Sequence, residues 1–230
     1  VTSLRVLFED NHLLAVLKPA GLPTMGAKPG RQSLLDAAAA YIKRKYHKPG
    51  NVYLGVVSRL DAPTTGVLLM ARTSKAAARL NEQFRSGRVQ KTYWAIVEGT
   101  PQPPAGQLED WVIKHDRHRR MLVASENTPG AKLAKLSYRL LSPGRRCSLL
   151  EVNLETGRKH QIRLQFSERG HPVVGDRKYA ARQSFPKGIA LHARRLVLVH
   201  PVRKTELEIV APLPRCWREF GVSEEGRFVA

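Results

Sequence analysis

The chain has 230 residues, 42% of them hydrophobic and 25% charged, which is enough to bury a core and argues against wholesale disorder. Lys and Arg number 39 against 19 Asp and Glu, a net charge of +20 that favours a polyanionic partner such as nucleic acid over a solvated basic surface serving none. No apolar run approaches the length of a membrane span and no basic-then-apolar signal opens the chain, so a cytoplasmic protein without a membrane partner is expected.

In chain order, residues 12–17 read as a strand, ended by the turn Lys18-Pro19-Ala20-Gly21. Ser33 with Asp36 three residues on marks a helix start, and Leu34, Leu35, Ala38, Tyr41 and Ile42 recur at helical spacing up to Pro49-Gly50. The basic end of that helix, Lys43-Arg44-Lys45, suits the helix dipole and is as well read as a solvated end as an RNA contact. Residues 52–57 and 67–71 read as buried strands, joined by the turn-rich segment Ser58 to Gly66. A helix is expected over 74–86 with Gly87 as its stop, then a strand over 92–97. Residues 101–106 form a proline-rich loop, and 111–114 with 121–124 are expected to pair as a hairpin. Further strands are expected at 136–141, 148–154, 195–199 and 206–210, and a helix over 160–168 with Gly170 as terminator. Strands and helices lack the regular alternation of a doubly wound sheet. The expected fold is therefore α+β: a single domain over 1–230 around a large mixed or mostly antiparallel sheet flanked by helices and loops.

Asp61 sits in the tight connection between two apolar strands. A carboxylate there has a rigid base and could face a cleft, although an Asp before Pro63-Thr64-Thr65-Gly66 could equally order the turn, and the local pattern alone favours the turn. Gly157-Arg158-Lys159-His160-Gln161-Ile162-Arg163 places donors at a helix start. Ile162 and Leu164 flank Arg163 closely, which implies partial burial, and a buried guanidinium needs an anionic partner. Tyr93 lies on a strand, where most tyrosines are sheet-face or core aromatics. The histidines form no metal set: His115 and His118 belong to a polar hairpin, and His192, before Arg194-Arg195, either contacts phosphate or is a satisfied strand residue. Cys147 and Cys216 are far apart, without a Cys-x-x-Cys pattern, so no zinc site is expected and both are read as reduced and structural.

Four blocks in order resemble the RluA-type pseudouridine synthases: Asn11 to Gly21; Ser58-Arg59-Leu60-Asp61-Ala62-Pro63-Thr64-Thr65-Gly66 and its sequel to Ala71; Lys91-Thr92-Tyr93-Trp94-Ala95-Ile96-Val97; and Gly157 to Arg163 with Gly170-His171-Pro172-Val173-Val174-Gly175-Asp176. The similarity spans residues 8–212. The chain departs from the family in carrying Ser58 where His is usual and Thr65 where Ser is common. It is expected to start at the catalytic domain, without the extra N-terminal RNA-binding (S4) domain of some relatives, so that RNA affinity would come from the catalytic domain's own basic surface.

The resemblance implies the pseudouridine synthase fold, with an active-site cleft across the sheet, and isomerisation of a flipped-out uridine in ribosomal or transfer RNA. It implies Asp61 as the catalytic carboxylate, Arg163 as its ion-pair partner, and Tyr93 packed on the uracil as a possible base. Arg59 would hold the RNA open; Arg158, His160, Gln161 and His192 would contact substrate, with Ile162 and Leu164 walling the pocket. No metal or organic cofactor is implied, and a monomer is the default for so charged a surface. The rivals are an inactive RNA-binding protein on the same fold, a nuclease or glycosylase, and a basic scaffold on ribosomes. A metal-dependent nuclease would want clustered carboxylates, whereas those here are scattered.

Overall fold

The computed structural model describes residues 4–26, 30–116 and 120–228. His118, in the expected hairpin turn, lies outside them. The chain divides into two compact units, Val1–Gln90 with Ala193–Pro212, and Lys91–His192 with Leu213–Ala230.

The first unit carries β1 (Val6–Glu9), β2 (Leu13–Lys18), α1 (Leu34–Lys45), β3 (Gly55–Val56), β4 (Thr65–Ala71) and α2 (Ser74–Arg85). It also takes in β10 (Leu191–Val199) from Ala193 onward, and β11 (Glu206–Val210). β2 runs antiparallel to β1 and to β4, and β11 antiparallel to β10. All seven residues of β4 are buried, because both faces of the strand are covered. Successive side chains on a strand point to opposite faces. Val67, Leu69 and Ala71 therefore join Leu13, Ala15, Ala76, Ala77 and Leu80 in one cluster under α2. Leu68 and Met70 join Leu14, Val16, Leu34, Ala38 and Ile42 in another under α1. Each such leucine taken out of water contributes roughly 1.5–3 kcal/mol.

The helix signals act as expected. Asp36 N donates to Ser33 Oγ at 3.3 Å and Ser33 N to Asp36 Oδ2 at 2.8 Å, a reciprocal capping box. The expected strand over 52–57 is shorter in the structure, pairing only at Gly55–Val56. Its apolar residues are used in packing instead: Val52 and Leu54 lie against the α1-side core and Val57 against the α2-side core.

The second unit carries β5 (Gln90–Glu98) from Lys91, β6 (Ala105–His115), β7 (Arg120–Ala124), β8 (Lys132–Pro143), β9 (Cys147–Leu154), α3 (Gln161–Ser167) and α4 (Arg215–Glu219), with a 3-10 turn at Arg177–Tyr179. The strands are antiparallel in the order β5-β9-β8-β6-β7. The hairpin pairs Trp111 with Ala124 and Lys114 with Met121. β6 begins at Ala105, so the proline-rich connection ends at Pro104, two residues earlier than expected. Ile162 and Phe166 of α3 enter the main core of this unit, together with Val152 and the wholly buried Trp217. Cys147 and Cys216 are both buried free thiols whose pKa burial pushes up. All the strand pairs described above are antiparallel, and the arrangement is α+β. No helix among the described residues is long and apolar enough to cross a membrane.

Candidate active site

In the first unit, the ladder between β2 and β4 ends with Lys18 opposite Gly66. Gly66 has φ +121°, and a Cβ there would lie 2.3 Å from the Ala193 carbonyl oxygen, so only glycine fits. This register lays the turn after β2 beside the turn before β4, and the second of these turns holds Asp61. Thr64 N donates to Asp61 O at 3.0 Å, closing the turn. On one side of Asp61, Thr24 Oγ1 donates to Leu60 O at 3.0 Å and accepts from Leu60 N at 3.3 Å. On the other, Ala62 O accepts from Gly21 N at 2.8 Å and from Lys18 Nζ at 2.9 Å. The backbone on both sides of the half-buried Asp61 is thus clamped to residues 18–24. Arg59, two residues upstream, is exposed.

The sequence placed Lys18 in a turn signal and in the first family-like block without giving it a role, yet it is wholly buried. Its Nζ also donates to Pro19 O at 3.0 Å and Leu22 O at 2.7 Å. Three carbonyls match the three N–H groups of an ammonium, one more than a neutral amine offers. Burial pushes the Lys18 pKa down to about 7, while the Asp61 carboxylate pulls it back up.

In the second unit, Tyr93 is a half-buried residue of β5, opposite Val152 of β9. α3 has seven residues, and Gln161 through Phe166 are all buried. Gln161 stitches the preceding loop to β8: its Oε1 accepts from Thr156 Oγ1 at 2.8 Å and Arg158 N at 3.0 Å, and its Nε2 donates to Lys135 O at 3.0 Å. Ile162 and Leu164 are core residues, 3% and 1% exposed. Arg158 is exposed, with Nε donating to Leu133 O at 2.8 Å. Near it, burial and the Arg158 charge both lower the Lys91 pKa.

Arg163 is 4% exposed, and the anionic partner its burial demands is present in the same unit. Nε donates to Asp176 Oδ2 at 2.6 Å and Nη2 to Asp176 Oδ1 at 2.9 Å. The guanidinium carbon lies 5.1 Å from the Tyr179 ring centre. His160, in the left-handed conformation at φ 54°, shares a 2.8 Å hydrogen bond through Nδ1 with Tyr179 Oη. His192 is wholly buried, with its ring 5.7 Å from that of Trp217, which fits a packed strand residue and not a direct phosphate contact. Asp176 and Tyr179 escaped the sequence reading as site residues: a buried arginine calls for a carboxylate, but the chain alone does not say which. Among the described residues, no three or more His, Cys, Asp or Glu side chains are grouped to hold a metal ion.

The profile of the RNA pseudouridylate synthase family matches residues 12–168. The chain belongs to the RNA pseudouridylate synthase family. Ribosomal large subunit pseudouridine synthase D of Xylella fastidiosa is 37% identical over 232 residues, covering 92% of this chain and 66% of that protein. The same-named protein of Yersinia pestis is 33% identical, covering 92% of this chain and 67% of that protein. The chain thus spans about two thirds of the length of these relatives. Among solved structures, human RNA pseudouridylate synthase domain containing 4 is similar with a TM-score of 0.77 at 29% identity, covering 92% of this chain and 89% of the human one. The pseudouridylate synthase profile takes in Asp61, Tyr93 and Arg163, while Asp176, Tyr179 and His192 lie beyond its end.

Proposed function

We propose that this protein is an RNA pseudouridine synthase acting on uridines of ribosomal or transfer RNA. The names of the relatives above favour large-subunit ribosomal RNA. The observation that carries the reading is the Asp61 turn: a half-buried carboxylate in an Arg-Leu-Asp motif, with the backbone on both sides clamped. A turn that used Asp61 only to order itself would need no such external clamps, because side-chain acceptors of an Asx-type turn act locally.

In the reaction, the N1–C1′ bond of uridine breaks, the uracil turns, and C5 bonds to C1′. The C5 proton leaves to a base and N1 gains a proton, so the product is an isomer. Asp61, ionised, acts at the sugar as nucleophile or electrostatic partner. Arg163 is the positive charge proposed to face that carboxylate as its ion-pair partner. Tyr93 packs on the uracil and serves as the base. Arg59, exposed beside Asp61, helps hold the flipped nucleotide out of its stack. The basic surface supplies RNA affinity, with His160 and Arg158 on the substrate side. The cytoplasm is the proposed location, and a monomer the proposed state.

The test is to incubate the protein with RNA carrying tritium at uridine C5. Tritium released to water together with pseudouridine in the digested RNA supports the activity. Binding with neither product marks an inactive RNA-binding protein, and free uracil marks a glycosylase.

A further inference from the structure

Resting on that proposed activity, we infer that Asp176 is a positioning residue of the reaction, acting through Arg163. The carboxylate grips the guanidinium side-on, by Nε and Nη2, with both side chains at most 5% exposed. Two parallel bonds fix the plane of a guanidinium as one bond cannot. Fixing one edge also fixes the direction of the other.

The grip is itself rigidly mounted. Gly175 has φ +85°, and a Cβ there would lie 2.7 Å from the Phe185 Cβ, so the chain turns sharply just before Asp176. Asp176 N then donates to Val173 O at 3.0 Å, and Asp176 O accepts from Tyr179 N at 3.0 Å and Ala181 N at 3.1 Å. Tyr179 closes the nest with its ring face against the Arg163 guanidinium. Its Oη accepts from Met121 N at 2.9 Å, and its carbonyl accepts from Ser167 Oγ of α3 at 2.8 Å. The helix carrying Arg163 and the turn carrying Asp176 are thus joined by a second link besides the ion pair.

Packing alone gives no reason for this pair. Replacing a buried ion pair by apolar side chains of similar volume is often neutral or stabilising. A molecule that needed only to fill this part of its core would be served by leucine and methionine. What the pair supplies that they would not is a charge held in one orientation.

The experiment is single-turnover tritium release from C5-labelled RNA, with RNA affinity measured in parallel, for Asp176→Asn and Asp176→Glu. Glutamate keeps the charge but moves the guanidinium by about a methylene, and misplacement on that scale costs on the order of 10- to 100-fold in rate. Both variants should lose rate by about that factor, asparagine more than glutamate, with RNA affinity unchanged within about threefold. Rates are divided by the fraction of protein competent to bind RNA. A loss that vanishes on that division makes Asp176 structural and overturns the inference, as does a wild-type rate in either folded variant. If Asp176→Asn does not fold, Asp176→Glu decides by the same two criteria. A wild type that makes no pseudouridine sinks the proposed activity itself, and the inference with it. An active wild type with unaffected variants sinks the inference alone.

Discussion

The Asp61 turn and the Arg163 nest solve the same problem, placing a charged side chain, in opposite ways. At Asp61 the hold is on the backbone: Lys18, Gly21 and Thr24 engage the peptide groups of its neighbours Leu60 and Ala62. At Arg163 the hold is on the side chain, through two hydrogen bonds to a buried carboxylate and an aromatic face. A short acid with few rotatable bonds is aimed once its backbone is fixed. A long arginine is not, and needs its far end restrained. The group proposed to react is thus the one aimed by its main chain, while the charge proposed to support it is held by partners of its own.

This contrast can be broken by measuring stability. Arg163→Met should give the largest effect, a loss of about 3–5 kcal/mol in chemical denaturation, because it strands the buried Asp176 carboxylate. Asp61→Asn should cost less, about 1 kcal/mol, because Lys18, the buried cation on which its charge acts, keeps its three carbonyl partners. Equal losses in the two variants would erase the distinction.

Lys18→Met comes next. It removes a buried ammonium from three carbonyls, and a loss of about 2–3 kcal/mol is expected. Its pH dependence sharpens the point. The Lys18 pKa falls to about 7 in the folded state from an ordinary 10.5. Between those values the unfolded chain holds a proton that the folded chain has released, so raising pH favours folding. Wild type should therefore gain stability from about pH 7 to pH 10 relative to Lys18→Met. Denaturation curves whose difference is flat over that window would show that Lys18 does not titrate there.

The smallest effect on stability should come from Tyr93→Phe, which keeps the ring packed against the second unit's core. Its rate of tritium release should nonetheless fall about 100-fold if the hydroxyl moves the C5 proton. An unchanged rate would confine Tyr93 to packing.

Much of the fold was legible because it is written in local chemistry. The Ser33 capping box, the Gly87 stop and the unbroken apolar run of β4 each depend on residues within a few positions of one another. β1 and α4 were not legible: four half-buried residues and a five-residue turn of helix after Pro214 are too short to show a period. The site divides the same way. Asp61 and Arg163 stand in recognisable motifs, but the groups that hold them do not announce themselves. Lys18 looks like an ordinary lysine before a proline, and its burial is decided by a turn 44 positions away. Asp176 closes a family-like block in the sequence, but nothing there pairs it with Arg163 until α3 packs beside it. Long-range contacts of this kind are set by tertiary packing, which single-chain patterning does not encode.

The most direct test of the central claim is the pseudouridine content of RNA treated with wild type and with Asp61→Asn, read by mass spectrometry after digestion. Pseudouridine made by wild type and absent with the asparagine variant, at equal RNA binding, is the predicted result. An asparagine variant that modifies RNA as fast as wild type would contradict it.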